Sequence, residues 1–354
     1  MQRIGGLVYS SDQGPGIARA RRGRGFEYRR PNGSVVRDIG TLRRIAALAI
    51  PPAWTDVWIN PNPRGHIQAT GRDARRRKQS RYHDTWTAHR DADKFSHLVG
   101  FCRVLPRIRR RVGRDLRKPG LSQEKVVAAI VRLLESTFIR IGNEEYASQN
   151  KSFGLTTLRD RHAKVRGDTI RLSFRGKSGK DVEAEVTDPR VARVVKRCQE
   201  LPGQLLFGYV DENGERRTVT SDDVNDYLRE TTGGDYTAKD FRTWGGTVLA
   251  AVALRALEGF ESEAEAKRNV VAAIDNVARR LGNTRAVSRR SYVHPAVIDS
   301  YLDNRLDVAL TRRADRLLDG APAIPSVEAA VLKLIRTSKP RRVRPATRSA
   351  PADT

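Results

Sequence analysis

The 354-residue chain is poor in cysteine, and that absence excludes several classes at once. Cys102 and Cys198 are far apart and outside any CxxC spacing, so neither a disulfide framework nor a zinc finger is expected. His66, His83, His89, His97, His162 and His294 form no HxxxH pair and have no acidic cluster beside them, and no metal site is expected. Long apolar runs are missing too. The best, Val248 to Leu254, is halted by Arg255, well short of the roughly 18 residues a membrane helix needs. After Arg3 the apolar stretch is too short for a secretory signal, and a cytosolic protein is expected. Acidic residues are also in deficit. Against 41 Asp and Glu stand 67 Lys and Arg, a net charge of +26 carried by 13 lysines and 54 arginines. A metabolic enzyme is a poor first guess for such a chain. A polyanionic partner is expected, nucleic acid before acidic membrane.

The chain's patterning is uneven. Residues 1–36 hold turn chemistry, Gly14-Pro15-Gly16 and Gly23-Arg24-Gly25, followed by Phe26 and Tyr28 at strand spacing and a Pro31-Asn32-Gly33 turn. Residues 42–49 read as a short amphipathic helix stopped at Pro51-Pro52, and residues 54–59 and 66–70 as paired strands. Beyond about residue 90 helices dominate. Val126, Val127, Ile130, Val131, Leu134 and Phe138 recur at i, i+3, i+4 spacing in a helix ending near Arg140. Ile170, Leu172 and Phe174 alternate with polar residues, pause at Gly176-Lys177-Ser178-Gly179-Lys180, and resume at Val182, Ala184 and Val186, a β-hairpin. Thr237 with Asp240 three residues on predicts a helix start, and residues 264–281 a helix capped by Gly282. Apolar-striped stretches follow at 296–318 and 326–336. The expected fold is therefore α+β. A small β-rich N-terminal domain (1–90) precedes a larger, mainly helical catalytic domain (91–320) carrying a small antiparallel hairpin or sheet. A C-terminal helix (321–336) and a disordered basic, proline-containing tail (337–354) complete it.

Four places could carry chemistry, and each has an ordinary alternative. Arg140 at a helix end could simply complement the helix dipole. Lys177 in a hairpin turn is a commonplace solvated lysine. A P-loop reading of Gly176-Lys177-Ser178 fails because Arg171 stands where the motif needs glycine. Lys239 and Arg242, three apart on one helical face, could be a solvated basic face, and Tyr292 reads as a surface tyrosine in a polar loop after a helix. The combination changes the balance. Attack on a phosphodiester builds negative charge on its non-bridging oxygens, so preorganised cations there are the main requirement. Arginine suits it, being permanently charged and forked. A phenol, ordinarily near pKa 10, becomes a better nucleophile beside guanidinium groups, and a lysine on a turn can protonate the departing alkoxide.

With these residues in view, the chain resembles the bacterial and poxvirus-like type IB DNA topoisomerases, of the tyrosine recombinase and topoisomerase superfamily. The likeness runs from Pro15-Gly16-Ile17 to the Tyr292 region. It is carried by Ile50-Pro51-Pro52-Ala53-Trp54, Gly65-His66-Ile67-Gln68-Ala69, Gly71-Arg72-Asp73-Ala74 and Arg77-Lys78-Gln79 in the N-terminal part. In the catalytic part it is carried by Arg140-Ile141-Gly142, Gly154-Leu155-Thr156-Thr157-Leu158, Phe174-Arg175-Gly176-Lys177, Lys239-Asp240-Phe241-Arg242-Thr243 and Gly282-Asn283-Thr284, with Tyr292 nine residues past Asn283. The resemblance implies Tyr292 as nucleophile, a DNA 3′-phosphotyrosine intermediate, and Arg140 and Arg242 on the non-bridging oxygens. It implies Lys177 as general acid, and Lys239 as a supporting phosphate contact. Asn283 stands where eukaryotic and viral members carry histidine; its amide can donate a hydrogen bond but carries no charge. Arg72, Arg77, Lys78, Gln79, Arg81 and Tyr82 match a family segment facing the major groove, with Arg76 where glycine and Ser80 where an aromatic residue are usual. Relaxation of both supercoil signs without ATP, cofactor or metal, by a monomer clamping duplex DNA in the bacterial nucleoid, is implied.

Two alternatives stand beside it. A tyrosine recombinase shares the chemistry, but usually carries histidine where Lys239 stands and begins with a helical domain. A non-enzymatic nucleoid DNA-binding protein would account for the charge, but not for Arg140, Lys177, Arg242 and Tyr292 together. A second basic run, Arg103 to Lys118, is expected to touch backbone phosphates.

Overall fold

The computed structural model describes residues 6–337 except Arg24, Arg75, Arg77, Glu258 and residues 307–324. The expected tail beyond Thr337, and the expected apolar stretch beyond residue 306, lie outside the described residues. The chain divides into two compact units, residues 1–96 and 97–354, the division falling within helix α2 (Asp84–Asp115).

In the first unit, strands β1 (Ile17–Arg22), β2 (Gly25–Arg29), β3 (Thr55–Ile59), β4 (Ile67–Arg72) and β5 (Lys78–Tyr82) form one antiparallel sheet ordered β2-β1-β3-β4-β5. Helix α1 (Ile39–Ala47) starts earlier than residues 42–49 because the Asp38 carboxylate accepts the Thr41 N–H at 2.8 Å. Ile17, Val36, Ile45, Val57, Ile59 and Ala69 make the core. Strand β1, which sequence patterning does not reveal, buries only Ile17 and exposes most of its arginines. One of them does structural service: Arg19 donates to the carbonyls of Ile50, Pro51 and Trp54 at 3.3, 3.0 and 2.7 Å, holding the Ile50-to-Trp54 loop.

The second unit is mainly helical. Helices α3 (Gln123–Thr137) and α7 (Ala238–Arg255) are its centre. From Phe241 to Leu254 every residue of α7 is buried, as expected of a helix packed on all sides. Around these lie α4 (Glu144–Asn150), α5 (Pro189–Gln199), α6 (Ser221–Thr232), α8 (Glu263–Leu281), α9 (Arg285–Tyr292), α10 (Pro295–Leu302) and α11 (Pro325–Thr337). Strands β6 (Ala163–Arg166), β7 (Thr169–Arg175) and β8 (Asp181–Thr187) form a small antiparallel sheet, and β9 (Gly208–Val210) pairs with β10 (Arg216–Thr218). The architecture is α+β, and no described helix is long and apolar enough to cross a membrane.

Candidate active site

Arg140 is aimed by the way α3 stops. Phe138 caps the helix in the left-handed region (φ 56°), and the chain then runs without regular structure through Arg140 and Ile141. Leu155 N–H donates to the Arg140 carbonyl at 2.9 Å and Thr156 N–H to the Ile141 carbonyl at 2.7 Å. This close approach requires glycine. A Cβ on Gly154 would lie 2.6 Å from the Arg140 carbonyl oxygen and 2.5 Å from the Gly142 nitrogen, where no backbone atom can yield. The Gly154-to-Leu158 motif is thus the back-plate of Arg140.

Helix α7 begins on a capping box: the Asp240 carboxylate accepts the Thr237 N–H at 2.8 Å. One turn in, Arg242 is only 4% exposed. Its Nη1 donates to the Phe138 carbonyl and its Nη2 to the Leu281 carbonyl at 2.8 Å. Both carbonyls belong to the C-terminal ends of helices, α3 and α8, where the backbone dipoles favour a cation. The partners are neutral, so the guanidinium charge is stabilised without being cancelled. Burial first, then repulsion from Arg140, lowers its pKa to about 10.

Beneath Arg242 lies Tyr292, its ring centroid 5.1 Å from the guanidinium carbon. Tyr292 is 7% exposed. Burial would raise the phenol's pKa, but the charges of Arg242 and then Arg140 outweigh it, and the net shift is downward. The expected polar loop is therefore corrected: Tyr292 is the last residue of helix α9, and it is buried. Thr284 caps α9 through its side chain, and Arg285 is anchored on Asp275 of α8 by two bonds of 2.6 Å. The helix buries only Ser288 and Tyr292, one turn apart, too little apolar signal for a periodicity to reveal.

Lys177 sits in the turn between β7 and β8, where Ser178 and Gly179 both have positive φ (63° and 75°). Asn283 follows the left-handed cap Gly282 of α8. Its side-chain oxygen accepts from Arg140 Nη2, while its Nδ2 is buried without a hydrogen-bond partner. A cleft of about 310 Å³ is lined by Arg140, Lys177, Lys239, Arg242 and Tyr292 together with Phe153. Asn283 joins this cluster through Arg140. Four cations thus share one cleft with one phenol, with no carboxylate in the lining among the described residues, an arrangement suited to a phosphate and to nucleophilic attack on it.

The comparisons with known proteins agree with this chemistry. Residues 78–312 match the family model for the catalytic core of eukaryotic DNA topoisomerase I, and residues 25–73 that for the N-terminal domain of bacterial DNA topoisomerase IB. The chain belongs to the type IB DNA topoisomerases. This membership decides against the recombinase alternative. Among the relatives of this type IB enzyme is DNA topoisomerase 1B of Acanthamoeba polyphaga mimivirus, 34% identical over 270 residues, which are 74% of this chain and 80% of the relative. DNA topoisomerase 1B of vaccinia virus (strain Copenhagen) is 23% identical over 261 residues, 70% of this chain and 77% of the relative.

The N-terminal candidates of this topoisomerase lie in the first unit, on β4 and the edge strand β5, and Arg77 lies outside the described residues. By the pleat, Lys78 and Tyr82 share one face of β5 and Gln79 and Arg81 the other. Arg72, Lys78, Arg81 and Tyr82 are exposed. Lys78 pairs with Asp12 at 2.6 Å, Arg72 donates to the Arg76 carbonyl at 3.0 Å, and Gln79 donates to Asp73 at 3.1 Å. Arg81 donates to the Ala49 carbonyl at 3.0 Å and lies over Trp54. The second basic run forms the latter part of α2. Three of its arginines are engaged by acids, Arg109 by Glu135 and Glu328, and Arg111 and Arg114 by Asp115. Sequence reasoning missed Lys180, whose Nζ donates to the Asn283 carbonyl at 3.1 Å. The only available signal was its place in the same turn as Lys177.

Proposed function

We propose that this enzyme relaxes positively and negatively supercoiled duplex DNA by transient cleavage of one strand through Tyr292. The observation that carries the reading is the Tyr292 phenol, buried under Arg242 and lowered in pKa by two guanidinium groups, in one cleft with Lys177. The phenol gives its proton to water, and its oxygen bonds to phosphorus. The P–O5′ bond breaks with its electron pair on the 5′-oxygen, which takes a proton from Lys177. Arg140 and Arg242 hold the non-bridging oxygens through the pentacoordinate state, and the Asn283 Nδ2 supplies a further donor. Lys239, exposed at the start of α7, steadies a neighbouring phosphate.

The product is a 3′-phosphotyrosine and a free 5′-hydroxyl strand, which swivels about the intact strand under torsional stress. Reversal of the same steps reseals the nick, so the phosphodiester bond energy is conserved and no nucleotide is consumed. The exposed residues Arg72, Lys78, Arg81 and Tyr82 of the first unit add contacts to the duplex, and the enzyme acts as a monomer in the nucleoid. Affinity falls steeply with salt because phosphate contacts dominate it. The test is relaxation of plasmids of both supercoil signs in EDTA without nucleotide, beside Tyr292→Phe. Wild-type relaxation of both, absent in Tyr292→Phe, supports the reading. A wild type that binds DNA and leaves its topology unchanged returns the chain to the class of DNA-binding proteins.

A further inference from the structure

The turn between β7 and β8 carries two lysines, and the mechanism above uses one. Lys177 lines the cleft with Tyr292. Lys180, three residues on, reaches out of the sheet: its Nζ donates to the backbone carbonyl of Asn283 at 3.1 Å. That carbonyl stands just past the C-terminal end of α8, where the helix dipole adds to the attraction for an ammonium group. The same residue is held from its other side by Arg140, through the side-chain oxygen. Asn283 is therefore a junction. Arg140 fixes its amide, Lys180 fixes its backbone, and α9 with Tyr292 begins two residues later.

The turn is closed at its base by backbone hydrogen bonds, and Lys180 joins it to the α8–α9 connection. Gly176 N–H donates to the Lys180 carbonyl at 2.7 Å, closing the turn that carries both lysines, and Phe153 N–H donates to the Arg175 carbonyl at 2.8 Å just before it. A second cleft, of about 200 Å³, is lined by both lysines together with Arg140, Arg242 and Gly282. The bond from Lys180 crosses between the hairpin and the α8–α9 connection beside this space.

We propose that Lys180 is a positioning residue for the proton-transfer step. Its bond to the Asn283 carbonyl latches the hairpin to the segment that leads to Tyr292, and thereby sets where the Lys177 ammonium stands relative to the leaving 5′-oxygen. The inference rests on the reading of Lys177 as proton donor. Lys180 itself neither gives nor takes a proton and touches no reacting atom.

The test is single-turnover cleavage of a duplex whose cleavage position has been mapped, made with oxygen or with sulfur at the bridging 5′ position. A thiolate leaves without a proton, and the non-bridging oxygens are unchanged. Lys180→Ala should slow cleavage of the oxygen substrate by about ten-fold, a part of the roughly 10²–10⁴-fold a positioned acid supplies. Sulfur should restore the wild-type rate. Adding Lys180→Ala to Lys177→Ala should slow the oxygen substrate no further, and Lys180→Arg, which can reach the same carbonyl, should retain most of the rate. Equal slowing on both substrates would make Lys180 a phosphate contact or a fold prop and overturn the proposal, as would independent effects in the double variant. Lys177→Ala slowed and rescued by sulfur, beside an unaffected Lys180→Ala, rejects the latch alone. Lys177→Ala neither slowed nor rescued rejects the donor reading beneath it.

Discussion

Arg109 and Arg242 are both largely withdrawn from solvent in the second unit, yet their surroundings are opposite. Arg109 on α2 is held by two acids: Nε on Glu135 at 2.6 Å, and both terminal nitrogens on Glu328 at 2.7 and 2.8 Å. Glu328 also accepts from Trp244 at 2.9 Å, so this cluster ties α11 to the same helix that carries Arg242. Burial opposes the Arg109 charge, but Glu328 and Glu135 outweigh it and hold its pKa above the ordinary value. Arg242 is held by two carbonyls, and its pKa falls to about 10. The difference separates a structural cation from the one proposed to act on the phosphate. Where charge is cancelled, it fastens helices. Where it is only supported, it remains available to a phosphate that arrives later.

The signs carry over to stability. A raised folded pKa means that the charge of Arg109 favours folding at every pH below its ordinary value, and the benefit is lost only above it. Arg242 behaves inversely. Below about pH 10 its charge opposes folding, and the opposition fades as pH rises past that value. In the proposed active site, the fold therefore carries a buried charge at a cost to its own stability.

Exchanging the two arginines for glutamine is the sharpest way to break the comparison. Arg242→Gln keeps a donor for the carbonyls and removes the charge. Single-turnover cleavage should fall by about a hundred- to a thousand-fold, while stability in urea should not fall, because the buried charge that opposes folding is gone. Because Arg242 lowers the phenol, the limb of the rate profile that rises with pH should also move to higher pH in this variant. Arg109→Gln should do the reverse. Leaving two carboxylates without their counter-charge should lower stability by about 3 kcal/mol, with cleavage by the folded enzyme near wild type. A smaller effect on both quantities is expected from Gly154→Ala. Its Cβ would meet the Arg140 carbonyl and should lower stability by about 2 kcal/mol while slowing cleavage. The smallest change belongs to the first unit: Lys78→Ala should leave cleavage at saturating DNA unaltered and reduce the salt dependence of binding by about one phosphate contact. An unchanged salt slope would remove Lys78 from the DNA surface.

The parts legible in the sequence are those whose signal is local. The apolar stripe of α3, the Thr237 and Asp240 cap of α7, and Gly282 closing α8 each follow from a few neighbouring residues. Strand β1 and helix α9 were not legible because each buries one or two residues only. The burial of Arg242 was hidden for another reason. Three residues from Lys239 it reads as one of a solvated pair, and only the distant carbonyls of Phe138 and Leu281 make the site that takes it in. The contact of Arg140 with Asn283, 143 residues away, and that of Lys180 with Asn283, 103 residues away, are likewise products of the fold. Residue types announced the chemistry, while their support became visible only in three dimensions.

The most direct test of the central claim is to find which residue carries the DNA. Cleavage complexes quenched with denaturant, digested with nuclease and protease, and mapped by mass spectrometry should place a nucleotide on Tyr292, joined through the 3′-phosphate of the cleaved strand. An adduct on another residue, or one joined through a 5′-phosphate, would contradict the account.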